Sequence, residues 1–216
     1  TITDVLTNAT NAVAVVRYVI TPVANGCTGS AFNLDVTVEP LIAATAIIAP
    51  VSQTICSGGN FTIDVNTSSV PSAGTMVYDY SAVATGGVSG FSASGTGVLY
   101  TADITQGGPI LNPTTTRQTI TYTITPKISG GSACVGSAIT VVINVDPTPA
   151  VSSASTKTIC GGVAVNYVPT SAVGGTVFNW TSSVTSGTAG GNSAIGSGTI
   201  TDVLTNATNA VAVVRY

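Results

Sequence analysis

The sequence predicts an all-β protein made of tandem two-sheet sandwiches, with two related units in each period of 198 residues. The first observation is that the segment TITDVLTNATNAVAVVRY, residues 1–18, returns unchanged as residues 199–216. Repetition at a fixed spacing is the signature of a repeat architecture. The second observation is that apolar and polar residues alternate along short runs with no helical period, which is typical of strands with one buried face.

A weaker repeat inside the 198-residue period indicates that each period holds two units. Three pairs of segments resemble each other: SQTICSGG at 52–59 with TKTICGG at 156–162, RYVITP at 17–22 with TYTITP at 121–126, and NGCTGSAFNLDVTVEP at 25–40 with SACVGSAITVVINVDP at 132–147. We therefore expect residues 41–148 to form one complete unit, B. Residues 1–40 are then the C-terminal part of a unit A, and residues 149–216 are the N-terminal part of the next unit A.

The strand predictions follow the alternation in chain order. Alternating runs occupy residues 32–38, 61–65, 139–145 and 163–167. Clusters such as TGGVSGFSASGTG and GTAGGNSAIGSG separate the strands and have the composition of turns. Short strands punctuated in this way favour a sandwich of about seven strands per unit.

Four aromatic residues are predicted core anchors. Trp180 in VFNWT and Tyr80 in VYDYS occupy matching places, as do Tyr18 and Tyr122 in the strands that end in ITP. A large aromatic side chain on a central strand fills the space between two sheets. A sugar-stacking role for Trp180 is the weaker alternative.

Composition excludes several classes of partner. Only 6% of the residues are charged and the net charge is −3, so neither a nucleic-acid footprint nor a polybasic membrane patch can be built. The longest apolar stretch, LIAATAIIAPV, is too short and too broken to span a bilayer. We expect a Thr, Ser, Asn and Gly surface with little charge repulsion to oppose association.

The four cysteines fall at two equivalent places in each unit. A metal site would usually add a close second cysteine or a histidine, and the chain has neither. We predict a disulfide between Cys56 and Cys134, and a corresponding one from Cys160 to Cys27 of the adjacent repeat copy. Such bonds indicate an oxidising, extracytoplasmic setting. Buried free thiols are the alternative.

The sequence offers few groups for catalysis or for holding a cofactor. Without histidine there is no Ser-His or Cys-His nucleophile, and no acidic loop has the spacing of a calcium site. We expect no catalytic residue, no metal and no cofactor. Glu39 and Asp146 precede Pro40 and Pro147 at the unit exits, where a solvated linker charge is favoured over a calcium ligand.

Several motifs resemble the PKD-like, immunoglobulin-like repeats of very large Bacteroidota surface and secreted proteins. The resemblance is carried by the ICGG opening, the strand containing Trp180, the LTN segment at 204–206, the hairpin YVITPVANGCTG and the closing strand VTVEP. Unit B departs from this pattern in having Tyr80 for the tryptophan and TADITQGGPILNP for the LTN segment. The resemblance implies an immunoglobulin-like β-sandwich, type IX secretion, and a role in adhesion, gliding motility or surface filaments, without catalytic residues.

The leading functional hypothesis is a non-catalytic structural repeat of an extracellular stalk, adhesin or filament, at the cell surface or secreted. The alternatives are a glycan-binding module, with surface glycans as partners, or spacer repeats of a secreted enzyme. The expected partners are adjacent repeats of the same polypeptide or neighbouring copies in a filament. Residues equivalent to 19–40 would complete the sandwich begun by residues 149–216.

Overall fold

The computed structural model describes residues 1–49 and 53–216. Within these ranges every regular element is a β-strand. The strands are β1 (Ala14–Ile20), β2 (Val23–Ala24), β3 (Cys27–Thr28), β4 (Phe32–Val38), β5 (Thr45–Ala49), β6 (Thr54–Cys56), β7 (Thr62–Asn66), β8 (Thr75–Ala84), β9 (Ser94–Leu99), β10 (Gln118–Ser129), β11 (Ile139–Asp146), β12 (Asn179–Thr181), β13 (Ser183–Ser186), β14 (Ile195–Ser197) and β15 (Val213–Arg215). No helix in the described residues is long and apolar enough to cross a membrane.

The chain divides into two compact units, residues 1–146 and residues 147–216. The first unit contains a complete sandwich. Its larger sheet has five strands in the order β6-β11-β10-β8-β9, antiparallel except for the parallel pair β6-β11. The facing layer is the antiparallel pair β5-β7, extended by a bridge between Ile63 and Ile104.

The core lies between these two layers because alternate residues of each long strand point inward. Along β10, Ile120, Tyr122 and Ile124 are fully buried. They face β7, whose residue Ile63 is also fully buried. Phe61 meets Tyr122 edge to face with ring centroids 5.9 Å apart. Each large side chain buried in this way contributes about 1.5–3 kcal/mol.

Residues 1–40 form a second hairpin, β1-β4, with the same register as β10-β11. Val16 pairs with Val36 as Ile120 pairs with Ile143. Tyr18 pairs with Leu34 as Tyr122 pairs with Val141. The predicted correspondence between the two late strand pairs therefore holds residue for residue.

The tip of the β1-β4 hairpin is a tight two-residue turn between β2 and β3. Asn25 and Gly26 have positive φ angles of 49° and 82°. A type I′ turn requires positive φ at both central residues, and Asn-Gly is its preferred sequence. This turn explains why NG stands at the tip of the predicted hairpin.

The hairpin is joined to the complete sandwich by backbone hydrogen bonds. Leu41 N donates to Thr10 O over 2.8 Å, and Val70 N donates to Asn11 O over 2.9 Å. Pro40, between the two parts, is buried. Residues 1–40 and 41–146 therefore form one compact unit.

Residues 147–216 reproduce the earlier part of the sandwich. Strand β12 pairs with β14, and β13 pairs with β15 through a bulge. Isolated bridges join Ala164 to Val203 and Tyr167 to Ile200. The bridge at Tyr167 corresponds to the one at Ile63 in the complete sandwich.

Candidate functional site: the open half of a repeat

One candidate surface, in residues 1–146, is the inner face of the β1-β4 hairpin. This hairpin face consists of the residues whose counterparts point into the core of the complete sandwich: Val16, Tyr18, Ile20, Leu34, Val36 and Val38. Ile20 is 40% exposed, whereas its counterpart Ile124 is 0% exposed. Leu34 is 37% exposed, against 7% for Val141. The hairpin thus presents a core surface that has no covering layer within residues 1–49 and 53–146.

A separate candidate surface, in residues 147–216, is the sheet around Trp180. Trp180 is half-buried and pairs with Gly196 on β14, just as Tyr80 pairs with Gly95 on β9. In both pairs the ring lies over the glycine so closely that a Cβ atom there would overlap it. The predicted match between Trp180 and Tyr80 is therefore accompanied by a glycine opposite each ring. These glycines are present in the sequence, but the aromatic pattern alone does not reveal their role.

The two aromatic pairs also correspond. Trp180 meets Tyr216 edge to face at 5.4 Å, and Tyr80 lies 6.0 Å from Tyr122 in a tilted arrangement. Of the four predicted anchors, Tyr122 is fully buried, while Tyr80, Tyr18 and Trp180 are partly exposed.

The sheet of residues 147–216 stops where the complete sandwich continues. Ser183 pairs with Arg215 as Val83 pairs with Thr121, so β15 corresponds to the start of β10. Strand β10 runs on to Ser129 and pairs with β11. Within residues 147–216, all of them described, nothing occupies the counterpart positions of these later strands. We call the resulting uncovered side of β12, β13 and β15 the open edge.

An asparagine recurs three times beside these surfaces. Asn112, 7% exposed, donates from Nδ2 to Thr116 O over 2.9 Å and to Val145 O over 2.8 Å. Asn8 repeats both bonds, to Ala12 O over 2.8 Å and to Val38 O over 3.2 Å.

Asn206 repeats only the first bond, to Ala210 O over 2.8 Å. The strand that would present the second carbonyl has no counterpart in residues 147–216. Sequence reasoning missed this feature, although the recurring Asn-x-Thr signals it.

A tyrosine–aspartate pair occurs once in each of the two units. Tyr18 OH donates to Asp4 Oδ2 over 2.8 Å, and Tyr216 OH donates to Asp202 Oδ2 over 2.7 Å. Burial and the bond to Asp202 raise the pKa of Tyr216 above its usual range. Partial burial alone would raise the pKa of Asp202, but hydrogen bonds from Ser193 and Tyr216 outweigh it and lower that pKa. The tyrosine–aspartate contact is thus the same in both copies of the repeated segment.

The predicted disulfide between Cys56 and Cys134 is not formed. All four cysteines are free thiols. Cys56 lies beside Asp146 at the end of β11, whereas Cys134 lies in the loop before β11 begins at Ile139. The length of that strand separates them by about 24 Å, and a disulfide needs Cα atoms within about 7 Å.

The same distance argument applies to the predicted disulfide between Cys160 and Cys27 of the adjacent repeat copy. Cys27 lies at the hairpin tip like Cys134, and Cys160 corresponds to Cys56. A completed sandwich would hold Cys27 and Cys160 at opposite ends. Sequence equivalence located the cysteines but did not show which end of the unit each occupies.

Glu39 is more than the solvated linker charge that the sequence suggested. Its carboxylate accepts hydrogen bonds from Ser72 N over 2.9 Å and from Ser72 Oγ. These bonds lower the pKa of Glu39 and tie the exit of residues 1–40 to the sandwich. Its counterpart Asp146 instead forms a two-bond ion pair with Arg117, at 2.6 and 2.8 Å.

Residues 1–49 and 53–216 contain no cluster of three or more acidic or cysteine side chains able to hold a metal ion.

Comparisons with known proteins agree with this architecture. Neither the curated proteins nor the solved structures include a match to the chain. The family model of the PKD-like domain matches residues 1–41, 53–149 and 157–216, which together make up most of the sequence. PKD-like domains are typically non-catalytic modules of extracellular proteins. With an all-β structure and a family match of this extent, the chain belongs to the PKD-like domain family.

Proposed function

We propose that the chain is a structural repeat of an extracellular stalk, adhesin or filament, in which sandwich units follow one another in series. The observation that carries this proposal is the identical register of the β1-β4 and β10-β11 hairpins. Two versions of one unit in one chain are typical of a repeat array, in which each unit contacts its neighbours.

The junction at Pro40 supports a stiff array. Glu39 accepts hydrogen bonds from Ser72, and Leu41 and Val70 donate to the turn at residues 10–11. Three separate points of attachment restrict rotation between the hairpin and the following sandwich. A spacer that holds a binding tip away from a cell needs this resistance to bending.

The composition supports an external role. With only 6% charged residues, the surface depends on hydroxyl and amide groups for its hydration, and its interactions are little affected by salt. The motifs shared with Bacteroidota surface proteins favour type IX export and attachment at the cell surface, with adhesion, gliding or filament formation as the process served.

The proposal is tested with chains of one, two and three periods, in which residues 19–216 follow residue 216 at each seam. Small-angle scattering should show a radius of gyration that rises nearly in proportion to the number of periods. A compact globule would increase by only about 1.3-fold on doubling, and that result would contradict the stalk.

A matched variant tests the junction itself. Glu39→Ala removes the two bonds from Ser72 and should broaden the distance distribution of the three-period chain. Asp35→Ala removes an ion pair with Arg17 that lies within the hairpin, so it should leave the distribution unchanged.

Antibody against the repeat should label intact cells of the source organism. Labelling only after lysis would contradict the extracellular assignment.

A further inference from the structure

We propose that Asn66 is a glycosylation site, at which the side-chain amide nitrogen is joined to an oligosaccharide. The inference rests on the extracellular placement in the proposed function, because this modification is typical of surface segments of secreted proteins. Its acceptor signal is asparagine, then any residue except proline, then serine or threonine. The sequence contains five such signals, which begin at Asn8, Asn60, Asn66, Asn179 and Asn206.

Three of these signals are held by the fold. Asn8 and Asn206 each donate from Nδ2 to the carbonyl oxygen of the fourth residue beyond, over 2.8 Å. Each also accepts a hydrogen bond from the threonine hydroxyl of its own signal. The signal at Asn60 has Phe61 as its middle residue, and that side chain is 3% exposed in the core. None of the three can be presented to a transferase without breaking these contacts.

The signal at Asn179 is exposed but lies inside a strand pair. All three of its residues, 179–181, pair with β14. Its middle residue, Trp180, packs closely over Gly196. Binding of this segment by an enzyme would therefore disrupt the β12-β14 sheet.

The signal at Asn66 has both of its functional groups free. Asn66 is exposed at the last position of β7, and Ser68 is exposed beyond the end of that strand. In the described parts of the chain, neither side chain has a hydrogen-bond partner. The residue between them, Thr67, donates one hydrogen bond from Oγ1 to Ala43 O over 2.7 Å. The amide nitrogen that would receive the sugar and the hydroxyl that the signal requires are thus both accessible.

An acidic residue distinguishes this signal from the other four. Successive side chains of a strand point to opposite faces, so Asp64 lies on the same outer face as Asn66, while Ile63 and Val65 are buried between them. Among the described residues, no ion pair includes Asp64. None of the other signals has an acidic residue two positions before its asparagine. The carboxylate of Asp64 can therefore offer the transferase a charge-assisted contact.

The surface next to Asn66 suits a sugar. A shallow hollow beside it is lined by methyl and hydroxyl groups of Ala43, Ala44, Thr45, Thr67 and Ser68. Mixed apolar and polar linings of this kind match a sugar ring, which has apolar C–H faces and a rim of hydroxyl groups. Asn66 pairs with Thr45, and Ile47 follows two residues later on the same outer face with 61% of its surface exposed. A glycan on Asn66 would cover this exposed side chain.

The reaction needs a sugar donor activated as a lipid-linked diphosphate. The Nδ2 atom of Asn66 forms a bond to the anomeric carbon of the oligosaccharide. The bond from that carbon to the diphosphate oxygen breaks, and the lipid diphosphate leaves with the electron pair. The amide nitrogen loses one proton to a base of the transferase. No oxidation or reduction occurs.

Mass spectrometry of the full chain, purified from cells of the source organism, tests the proposal. Chymotrypsin cuts after aromatic residues, so it releases residues 62–78, which contain Asn66 and no other signal. We expect this peptide to carry an oligosaccharide that fragmentation locates on Asn66. A peptide that is unmodified, or that carries its sugar on a hydroxyl group, would overturn the inference.

Two pairs of variants test the signal itself. Asn66→Gln should abolish the added mass, whereas Asn179→Gln, at the other exposed signal, should leave it unchanged. Ser68→Ala should also abolish it, and Ser68→Thr should retain it because the hydroxyl is kept. All three positions are exposed, so none of these changes should unfold the chain. Equal modification of Ser68→Ala and Ser68→Thr would refute the assignment.

A third pair tests the acidic residue. Asp64→Ala should lower the ratio of modified to unmodified peptide by about tenfold, because one charge-assisted contact with the transferase is lost. Asp103→Ala removes an exposed carboxylate outside the signal and should leave that ratio unchanged. Equal ratios in the two variants would show that Asp64 is not recognised.

The outcome is separable from that of the proposed function. Chains that label on intact cells but have an unmodified Asn66 would refute the glycosylation site and leave the extracellular stalk in place. A glycan on Asn66 in a protein whose tandem forms are compact would refute the stalk alone.

Discussion

Replacing Asn112 by alanine should destabilise the complete sandwich far more than the same change at Asn206. Asn112 donates to two carbonyl groups and accepts from Thr114 N and Thr114 Oγ1, at 2.9 and 2.8 Å. Of these bonds, only the one to Val145 O crosses to another strand. The alanine variant leaves that carbonyl and the Thr114 amide without a partner in a region that is largely inaccessible to water.

The magnitude follows from this environment. An unsatisfied buried polar group costs about 1–3 kcal/mol, and a net hydrogen bond contributes about 0.5–1.5 kcal/mol. We expect Asn112→Ala to lower the free energy of unfolding of residues 41–146 by about 2–4 kcal/mol. Asn206 is exposed and holds only its local turn, where water can replace the lost partners. Asn206→Ala should cost about 1 kcal/mol or less.

Hydrogen exchange followed by mass spectrometry suits this measurement because a chain of two units need not unfold in one step. Amides of β10 and β11 that exchange through unfolding of the sandwich should exchange about 30- to 1,000-fold faster in Asn112→Ala, at roughly 1.4 kcal/mol per tenfold change. The matched segment of Asn206→Ala should change less than tenfold. Equal effects of the two substitutions would refute the importance of the bond to Val145.

Local geometry leads to three further predictions. Gly136→Ala would place Cβ in overlap with a backbone carbonyl, whereas at Gly29 the nearest atom to the added Cβ would be a proline ring carbon at 3.0 Å. Calorimetry should show a loss of about 1–3 kcal/mol in the free energy of unfolding for Gly136→Ala and a smaller loss for Gly29→Ala. All four thiols should be alkylated in the native protein, with Cys134 slowest because it is the least exposed, and a native disulfide found by peptide mapping would contradict the structure. The hydrogen bonds from Arg117 lower the pKa of Asp146 below 3.8, so this pair stabilises the fold above about pH 4 and the stabilisation disappears as the pH falls through the lowered pKa. Asp146→Asn should therefore be less stable at pH 7 by about 1 kcal/mol or less, and a difference that persists undiminished at pH 2 would show that the ion pair is not its cause.

The strands with strict alternation were predictable from sequence because alternation reports directly which face is buried. Residues 32–38 and 139–145 each form a strand, β4 and β11, within one residue at either end. The run at 163–167 forms only isolated bridges at Ala164 and Tyr167. In the complete sandwich the corresponding residues belong to β7, which pairs with β5.

The candidate site was only partly predictable because several of its features depend on which groups meet in space. The complementarity of residues 19–40 and 149–216 stays a prediction from the sequence. The sequence did not indicate that Asn112 bonds to Val145 O, since that bond joins residues far apart in the chain. It placed Glu39 at an exit without showing that Ser72 lies within hydrogen-bond distance.

If residues 1–40 and 147–216 carry complementary halves of one sandwich, the two halves should fold together when they are joined directly. The test is a single chain in which residues 149–216 are followed without interruption by residues 19–40, studied by nuclear magnetic resonance. We expect one cooperatively folded monomer, with amide protection along 32–38 and nuclear Overhauser contacts between Ile20 and Trp180, since their counterparts Ile124 and Tyr80 pair in the complete sandwich. A chain that lacks cooperative unfolding, or that folds without bringing Ile20 next to Trp180, would contradict the complementarity of the two halves.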